Sequence, residues 1–308
     1  SDVIGIGNQA AYQNTGSYVH AIGNNSATSN TGTGVHAMGS DSASNNTGDD
    51  VVAIGTSAGY GNTGSSSVFV GEGAGQNNTG FSSIGIGGGA AVSNSGTNLS
   101  AIGANAGESN TGNNVAAIGW GAGHTNSGDS INAFGKDSAK NNTGFTINAI
   151  GESAAYGNSG NNVNALGLSA ATGNSGYRVN AIGTNAAKSN IQSDINALGD
   201  SAAQNNSGSN VNVLGNAAGN GNAGSDVNGF GNGSLSSNNG DHVNAFGTNA
   251  GSNNGITGAT IFSNSSMPSY ANHAAAAAAI TIGAGGTPGC TYLYHNQATN
   301  SIGAVRIP

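Results

Sequence analysis

Glycine recurs at every sixteenth position from Gly7 to Gly247, in sixteen consecutive repeats without an insertion or a deletion. We call this residue the anchor glycine and each 16-residue repeat a coil. A fixed period of this length is typical of repeat architectures, in which each unit stacks on its neighbour and completes a shared core. The repeat therefore determines how most of the chain can fold.

The positions around the anchor glycine are equally regular. The residue one before the anchor is always large and apolar, the residue four before it is Val, Ile or Leu in fourteen coils, and the residue seven after it is always Asn. The exceptions in the column four before the anchor are Ser67 and Ser83. The consensus is V-x-A-I-G-x-x-A-A-x-x-N-T-G-x-x. Such regular spacing of apolar residues indicates an ordered chain, although small polar residues are abundant.

Each coil is predicted to contain two short extended pieces joined by two turns. The piece V-x-A-I is rich in β-branched residues, which favour strands, and the piece A-A is small enough to pack closely. The anchor glycine permits a bend that a Cβ atom would obstruct, and the N-[TS]-G triplet consists of typical turn residues. Because the period has no insertions, equivalent strands should pair in parallel from coil to coil at a spacing of about 4.8 Å. The Asn column should stack into a ladder of amides that hydrogen-bond one coil to the next.

These features predict an all-β fold, a parallel β-solenoid or β-roll of sixteen 16-residue coils over residues 1–256. The register is expected to end near Gly258, and residues 257–308 are predicted to form a small C-terminal cap or tip that covers the open edge of the last coil. A helix is expected at 270–279. Short strands are expected at 259–262, 280–282, 291–294 and 302–307.

The predicted strand is apolar on both of its faces. Residues one and four before the anchor differ by three positions, so they point to opposite sides of a strand. A thin coil has only one interior, and a second apolar column on the outside would form a very large hydrophobic patch. We therefore expect the second column to be buried against copies of the same chain, in a homotrimer around a fibre axis. The alternative is a monomer whose flattened coil bends enough to bury both columns.

The column three before the anchor changes character along the chain. It begins with Ile4 and two histidines, His20 and His36, and it is Asn in every coil from Asn132 to Asn244. Three copies of the stacked histidines could ligate a metal ion if they met at an axis, but solvated or mutually hydrogen-bonded histidines are the simpler interpretation. We therefore predict no metal site.

The composition argues against several classes of function. Only 6% of the residues are charged, and the net charge of −8 includes just five Lys and Arg, so the basic footprint of a nucleic-acid-binding protein is missing. The longest uniform apolar run, the six alanines at 274–279, is far too short for membrane insertion. The acidic residues form no column and no phosphate-binding loop is present, so we expect neither catalysis nor a cofactor.

Surface aromatic residues are the remaining candidates for ligand contact. Trp120 directly follows an anchor glycine and is expected to point outward. Scattered surface aromatics need no function, but together with Trp120 several tyrosines could stack on sugars. These tyrosines are Tyr12, Tyr18, Tyr60, Tyr156 and Tyr177.

The repeat resembles those of known fibre proteins. The pattern in Ala21-Ile22-Gly23 and in Ala10-Ala11 through Asn14-Thr15-Gly16 is similar to repeats of bacteriophage tail-fibre proteins. It also resembles the A-I-G repeats of trimeric autotransporter adhesin heads, which form left-handed parallel β-rolls in trimers. The adhesin period is shorter, so the turns must differ here. The segments Pro268 to His273 and Thr291 to Tyr294 resemble C-terminal segments of phage structural proteins.

The resemblance implies a structural fibre protein of a virion, either a phage tail fibre or a capsid fibre, that attaches to a host surface. Its expected partners are two further copies of itself, other virion structural proteins, and a host-surface glycan or receptor. One alternative is a bacterial surface adhesin head, for which we find no coiled-coil stalk or membrane anchor in the sequence. Another is an ice-binding solenoid, but the Thr-rich column eight after the anchor mixes Thr with Ser and lies in a predicted turn.

Overall fold

The computed structural model describes residues 2–262 and, as backbone strands, residues 279–282, 291–296 and 301–306. The protein is an all-β parallel β-solenoid of about sixteen turns with a 16-residue repeat, as the anchor glycines predict. The chain divides into two compact units, Ser1–Ser159 and Gly160–Pro308. Each unit carries its own ladder of parallel strands.

The first unit contains ten strands, one from each coil. Each strand pairs in parallel with the strand of the next coil, and the register places every residue beside the one sixteen positions further on, as with Ile131 and Ile147. Equivalent side chains therefore stack in columns. The strands are β1 (Val3–Ile6), β2 (Val19–Ile22), β3 (His36–Met38), β4 (Val51–Ile54), β5 (Ser67–Val70), β6 (Ile84–Ile86), β7 (Leu99–Ile102), β8 (Val115–Ile118), β9 (Ile131–Phe134) and β10 (Ile147–Ile150).

The second unit has the same repeat. Its parallel strands are β11 (Val163–Leu166), β12 (Val179–Ile182), β13 (Ile195–Leu198), β14 (Val211–Leu214), β15 (Val227–Phe230), β16 (Asn244–Phe246) and β17 (Thr260–Phe262). The last of them lies beyond Gly258, where the register was expected to end. It nevertheless pairs with β16 in the sixteen-residue register, with Thr260 beside Asn244. The sixteen-residue register thus continues one strand further than the sequence predicts.

Three more strands follow in the second unit. β18 (Ala279–Ile282) pairs in parallel with β17, whereas β19 (Thr291–Asn296) and β20 (Ser301–Arg306) pair in antiparallel fashion with the strand before each of them. These strands occupy segments in which short strands are predicted from the sequence. The predicted helix at 270–279 lies outside the described residues except for Ala279, which begins β18.

Each strand buries two columns of side chains and exposes the other two. The residues two and four before the anchor point inward, and from the second coil onward they are almost completely buried, as shown by 0% exposure of both Val19 and Ala21. The first coil has no coil before it, and Val3 is accordingly 41% exposed. The core of each unit is therefore a double row of alanines and larger aliphatic side chains.

The A-A segment is not the second extended piece that the sequence predicts. Residues two, four and six after the anchor all have positive φ, with values of 56° at Asp41, 47° at Ala43 and 56° at Asn45. Because the backbone alternates in this way, Ala43 N donates to Ala58 O of the next coil at 2.8 Å, whereas Asn45 N donates to the preceding coil. Hydrogen bonds to both neighbouring coils stabilise a backbone conformation that alanine alone disfavours. Each coil consequently contains one strand rather than two.

The Asn column seven after the anchor forms the predicted ladder, which we call the inner asparagine ladder. Asn142 Nδ2 donates to Asn126 Oδ1 of the preceding coil at 2.9 Å and to Gly144 O of its own turn at 2.8 Å. Its Oδ1 accepts a hydrogen bond from Asn158 Nδ2 at 2.9 Å. The Asn142 side chain is 0% exposed. Each amide therefore closes its own turn and joins its coil to its neighbours.

Replacing an amide of the inner asparagine ladder should cost much more stability than replacing an exposed one. Asn142→Ala removes the donor to two buried oxygen atoms, and we expect the free energy of unfolding to fall by on the order of 1–3 kcal/mol. Urea unfolding followed by circular dichroism measures the loss. The matched control is Asn216→Ala, which removes an exposed amide one position after an anchor glycine, where another coil carries Ala104. Equal losses from the two variants would contradict this role of the ladder.

The two serines that interrupt the column four before the anchor accompany the largest side chain of the core. Phe69 stands where most coils have Ala, and it is 0% exposed. A Cβ atom on Gly75 would lie 2.1 Å from the Phe69 ring, and one on Gly85 would lie 3.2 Å from it. Ser67 and Ser83 likewise replace the Val, Ile or Leu of other coils. Smaller residues around the ring therefore provide the volume that Phe69 fills.

Candidate functional site

The outer side of the strands carries a continuous row of exposed apolar side chains in the first unit. These are the residues one before each anchor, and they are 38–59% exposed except for the half-buried Val70. We call this row the outer apolar column. In the first unit it consists of Ile6, Ile22, Met38, Ile54, Val70, Ile86, Ile102, Ile118, Phe134 and Ile150.

The structure decides which of the two predicted apolar columns faces the core. The column four before the anchor lies inside, and the column one before it lies outside. The coil does not bend to bury both, since Ile102 and Ile118 keep 40% and 38% of their surface exposed. A row of this length greatly exceeds the single exposed apolar residues that are normal on a soluble protein.

The outer apolar column of the second unit has the same character. Its side chains are 37–49% exposed. The column becomes aromatic toward its end, where the rings of Phe230 and Phe246 stack with centroids 5.3 Å apart and those of Phe246 and Phe262 with centroids 5.1 Å apart. The members in this unit are Leu166, Ile182, Leu198, Leu214, Phe230, Phe246 and Phe262.

The column three before the anchor lies on the same outer face. His20 and His36 are exposed there, and their ring centroids are 4.8 Å apart in an edge-on arrangement. Their contact confirms the stacking that the sixteen-residue spacing of the two histidines predicts. Within the part of the chain that the structure describes, no group of three or more His, Cys, Asp or Glu could hold a metal ion.

The later coils replace this column with a second ladder, the outer asparagine ladder. In the first unit Asn132 Nδ2 donates to Asn148 Oδ1 at 2.8 Å. In the second unit the amides from Asn164 to Asn244 are linked by donor–acceptor distances of 2.6–3.1 Å. These bonds were not predicted from the sequence, although the sixteen-residue spacing of identical asparagines is the same signal that predicts the inner asparagine ladder.

The Thr-rich column eight after the anchor is also exposed, as at Thr111 and Thr143. It lies in the turn beside the inner asparagine ladder, and Thr111 N donates to Asn126 O of the next coil at 2.9 Å. The residue two positions further on varies, from Asn113 in one coil to Phe145 in another. The column therefore has no second Thr row beside it.

A chemically different surface lies in the turn segment of the first unit. Trp120 is the only tryptophan of the chain, and it is 50% exposed, as the sequence predicts. The ammonium groups of Lys136 and Lys140 lie 5.7 Å and 5.8 Å from the centroid of its ring. Lys136 pairs with Glu152 and Lys140 with Asp137, each at a nitrogen–oxygen distance of 3.0 Å. We call these five residues the Trp120 cluster.

The charges of the Trp120 cluster are held in hydrogen-bonded pairs. The hydrogen bond from Lys136 Nζ to the Glu152 carboxylate raises the pKa of Lys136 above its ordinary value. The ammonium group therefore remains charged at neutral pH. Beside the cluster, Asn141 Nδ2 donates to the Tyr156 hydroxyl group at 3.3 Å. The two paired ammonium groups thus border the indole. The sixteen-residue spacing of Trp120, Lys136 and Glu152 was a signal for this stacking that the sequence-based prediction did not use.

The tyrosines singled out in the sequence do not share one site. Tyr12, Tyr18 and Tyr177 are 53%, 61% and 50% exposed. Tyr60 and Tyr156 are half-buried. Tyr156 accepts a hydrogen bond from Asn141, the residue that follows Lys140 of the Trp120 cluster.

No protein-family model, no curated protein and no solved structure matches this chain. Among the described residues there is no helix with the length and hydrophobicity needed to cross a membrane. The outer apolar column and the Trp120 cluster are therefore the features from which a function can be inferred.

Proposed function

We propose that this protein is a structural fibre protein of a virion, a phage tail fibre or a capsid fibre, that assembles as a parallel homotrimer and attaches to a host surface. The observation that carries the proposal is the outer apolar column, which needs a partner to cover it. The similarity of the repeat to those of tail-fibre proteins supports the virion as its location. Other virion structural proteins and a host glycan or receptor are the further partners proposed.

Copies of the same chain are the partners that best fit the outer apolar column. The column repeats at the spacing of stacked strands, about 4.8 Å, so a covering surface needs the same repeat along its length. A second copy in parallel alignment offers that repeat. Three copies around an axis bring equivalent columns together in a closed arrangement, in which no copy is left with an uncovered column.

The column three before the anchor would fix the alignment of the copies along the axis. In the first unit this column is apolar at Val68 and Ile84 and carries amides at Asn132 and Asn148. Copies shifted by several coils would bury amides against apolar side chains, which is unfavourable. Copies in register would instead match apolar residues with apolar residues and amides with amides, as polar core positions do in coiled coils.

Assembly is tested by the mass of the protein in solution. Light scattering, with small-angle scattering on the same sample, should give three chains in a narrow particle. The variant Ile102→Asp/Ile118→Asp places carboxylates in the outer apolar column and should give the mass of one chain, because trimerisation would bury unpaired charges. The control Thr111→Asp/Ser127→Asp adds the same charges at exposed positions elsewhere on the coil and should keep the trimer. A single-chain mass for the unmodified protein would refute the trimer.

The location is tested separately, with antibodies raised against the chain. Immunogold electron microscopy of phage particles should label their fibres. Label confined to bacterial cell surfaces would replace the virion proposal with the adhesin-head alternative.

A further inference from the structure

We infer that the Trp120 cluster is a binding site for a neutral hexopyranose of a surface glycan. The inference gives the proposed attachment role a ligand class and rests on that role for its biological meaning. The binding itself requires neither a virion nor a trimer, so the two proposals can fail independently.

The fold does not require the three side chains that the Trp120 cluster places one position after an anchor, those of Trp120, Lys136 and Glu152. A coil depends on its anchor glycine, its inward columns and the inner asparagine ladder, whereas the position one after the anchor varies freely. Exposed ion pairs also contribute little to stability. In the seven preceding coils this position carries Asn8, Asn24, Ser40, Thr56, Glu72, Gly88 and Ala104. In the next three coils it carries Trp120, Lys136 and Glu152.

The local concentration of charge is unusual for this chain. It has five Lys and Arg in 308 residues, and two of them, Lys136 and Lys140, lie within 5.8 Å of the centroid of its only tryptophan ring. A random placement of charged residues at the variable positions would not be expected to bring two of the five Lys and Arg side chains beside the single tryptophan. A half-exposed indole bordered by paired charges is instead the composition of a ligand-binding surface, in which an apolar platform is combined with a few placed polar groups.

The indole of Trp120 is half-exposed, and the two coils before it carry small residues at its equivalent position. Both ammonium groups come from the following coil, whereas the preceding coil has only the methyl group of Ala104 at the equivalent position. One coil earlier, Gly88 has no side chain there. A pyranose ring combines an apolar face of C–H groups, which can pack on an indole, with a rim of hydroxyl groups that need hydrogen-bond partners.

The charges favour a neutral sugar over an acidic or basic one. The two ammonium groups and two carboxylates of the Trp120 cluster balance each other and are already paired. A charged ligand would have to break one of these pairs, whereas a hydroxyl group can accept from an ammonium and donate to a carboxylate without doing so. Lys136 and Glu152 are 53% and 52% exposed, so their polar atoms are accessible to a ligand on the ring.

The single tryptophan makes the site directly observable, since fluorescence excited at the red edge of indole absorption, where the eight tyrosines do not absorb, reports on Trp120 alone. We expect a saturable change of this fluorescence with at least one member of a panel of neutral oligosaccharides of glucose, galactose, mannose and N-acetylglucosamine. Calorimetry with the same oligosaccharide gives the dissociation constant. Trp120→Ala should weaken binding by about tenfold or more, and Trp120→Phe should weaken it less because a ring is retained.

The matched control is Leu168→Ala, which removes a 49%-exposed side chain from the same position of a later coil and should leave binding unchanged. The inference is wrong if no neutral oligosaccharide gives a saturable signal, if Trp120→Ala binds like the unmodified protein, or if only sialic or uronic acid oligosaccharides bind. Trp120→Ala should keep the three-chain mass, and Ile102→Asp/Ile118→Asp should still bind the sugar. These two results separate a failure of the sugar site from a failure of the assembly proposal.

Discussion

Gly103→Ala is expected to lower the free energy of unfolding by on the order of 4 kcal/mol or more. Gly103 is an anchor glycine with a φ of 128°, a backbone conformation that L-amino acids rarely adopt. A Cβ atom at this position would also lie 2.5 Å from the carbonyl oxygen of Gly119. Since that oxygen belongs to the backbone of the next coil, relief of the clash requires stacked coils to separate. Thermal and urea unfolding followed by circular dichroism would measure the loss.

Gly88→Ala is the matched control for this substitution. Gly88 lies one position after an anchor on the exposed surface, and the nearest atom that its Cβ would meet is the carbonyl oxygen of Glu72, 3.9 Å away. We expect unchanged stability or a gain of about 0.4–1 kcal/mol, because alanine restricts the unfolded chain. If Gly103→Ala had the same free energy of unfolding as Gly88→Ala, the prediction would be wrong, because the coils would then adjust around the anchor without a loss of stability.

The sequence variation among the coils indicates that a close approach to the next coil and a positive φ constrain a glycine differently. The glycine nine after the anchor also approaches the next coil, and a Cβ atom on Gly112 would meet the carbonyl oxygen of Gly128. Two coils nevertheless replace this glycine, with Gln192 and Ile256. The anchor column has no exception, and its φ values are 122–141°. A close approach alone can be accommodated by a local shift, whereas a close approach combined with this φ cannot.

Much of the fold could be predicted because the repeat reduces it to one coil. The exact sixteen-residue period gave the strand register, and the β-branched V-x-A-I pattern gave the strand. The inner asparagine ladder followed from one column of identical residues, of which Asn142 is one member. These predictions depend only on the spacing of residues and on elementary strand geometry.

The features that the sequence did not reveal depend on contacts between coils. The positive φ of Ala43 contradicts the local preference of alanine, and its hydrogen bond to Ala58 compensates for that preference. Strand alternation shows that two apolar columns face opposite sides but not which side is the core. The Trp120 cluster also depends on the stacking of coils. Lys136 and Lys140 follow Trp120 by sixteen and twenty positions, and they approach its indole from the next coil.

Phe69→Ala and Gly75→Ala should each damage the core and should compensate for each other when combined. Phe69→Ala leaves a cavity at a fully buried position, with an expected cost of about 3–5 kcal/mol. Gly75→Ala overpacks the same region, because its Cβ would lie 2.1 Å from Cδ1 of Phe69. The φ of 67° at Gly75 is not the main obstacle, since Ala43 and Ala91 occupy the same place in other coils with φ of 47° and 58°. In the double variant the new methyl group enters space that the ring has left.

Urea unfolding of the four proteins forms a double-mutant cycle for this pair. We expect Gly75→Ala to be less destabilising in the Phe69→Ala background than in the unmodified protein, with a coupling energy of about 1–3 kcal/mol. The matched control is Gly123→Ala at the same place in another coil, where the Cβ would lie 3.0 Å from Cβ of Ala117. Other coils already contain an alanine at both of these places, so this variant should be mild and independent of Phe69. Additive effects of Phe69→Ala and Gly75→Ala would mean that the small residues around the ring do not compensate for its volume.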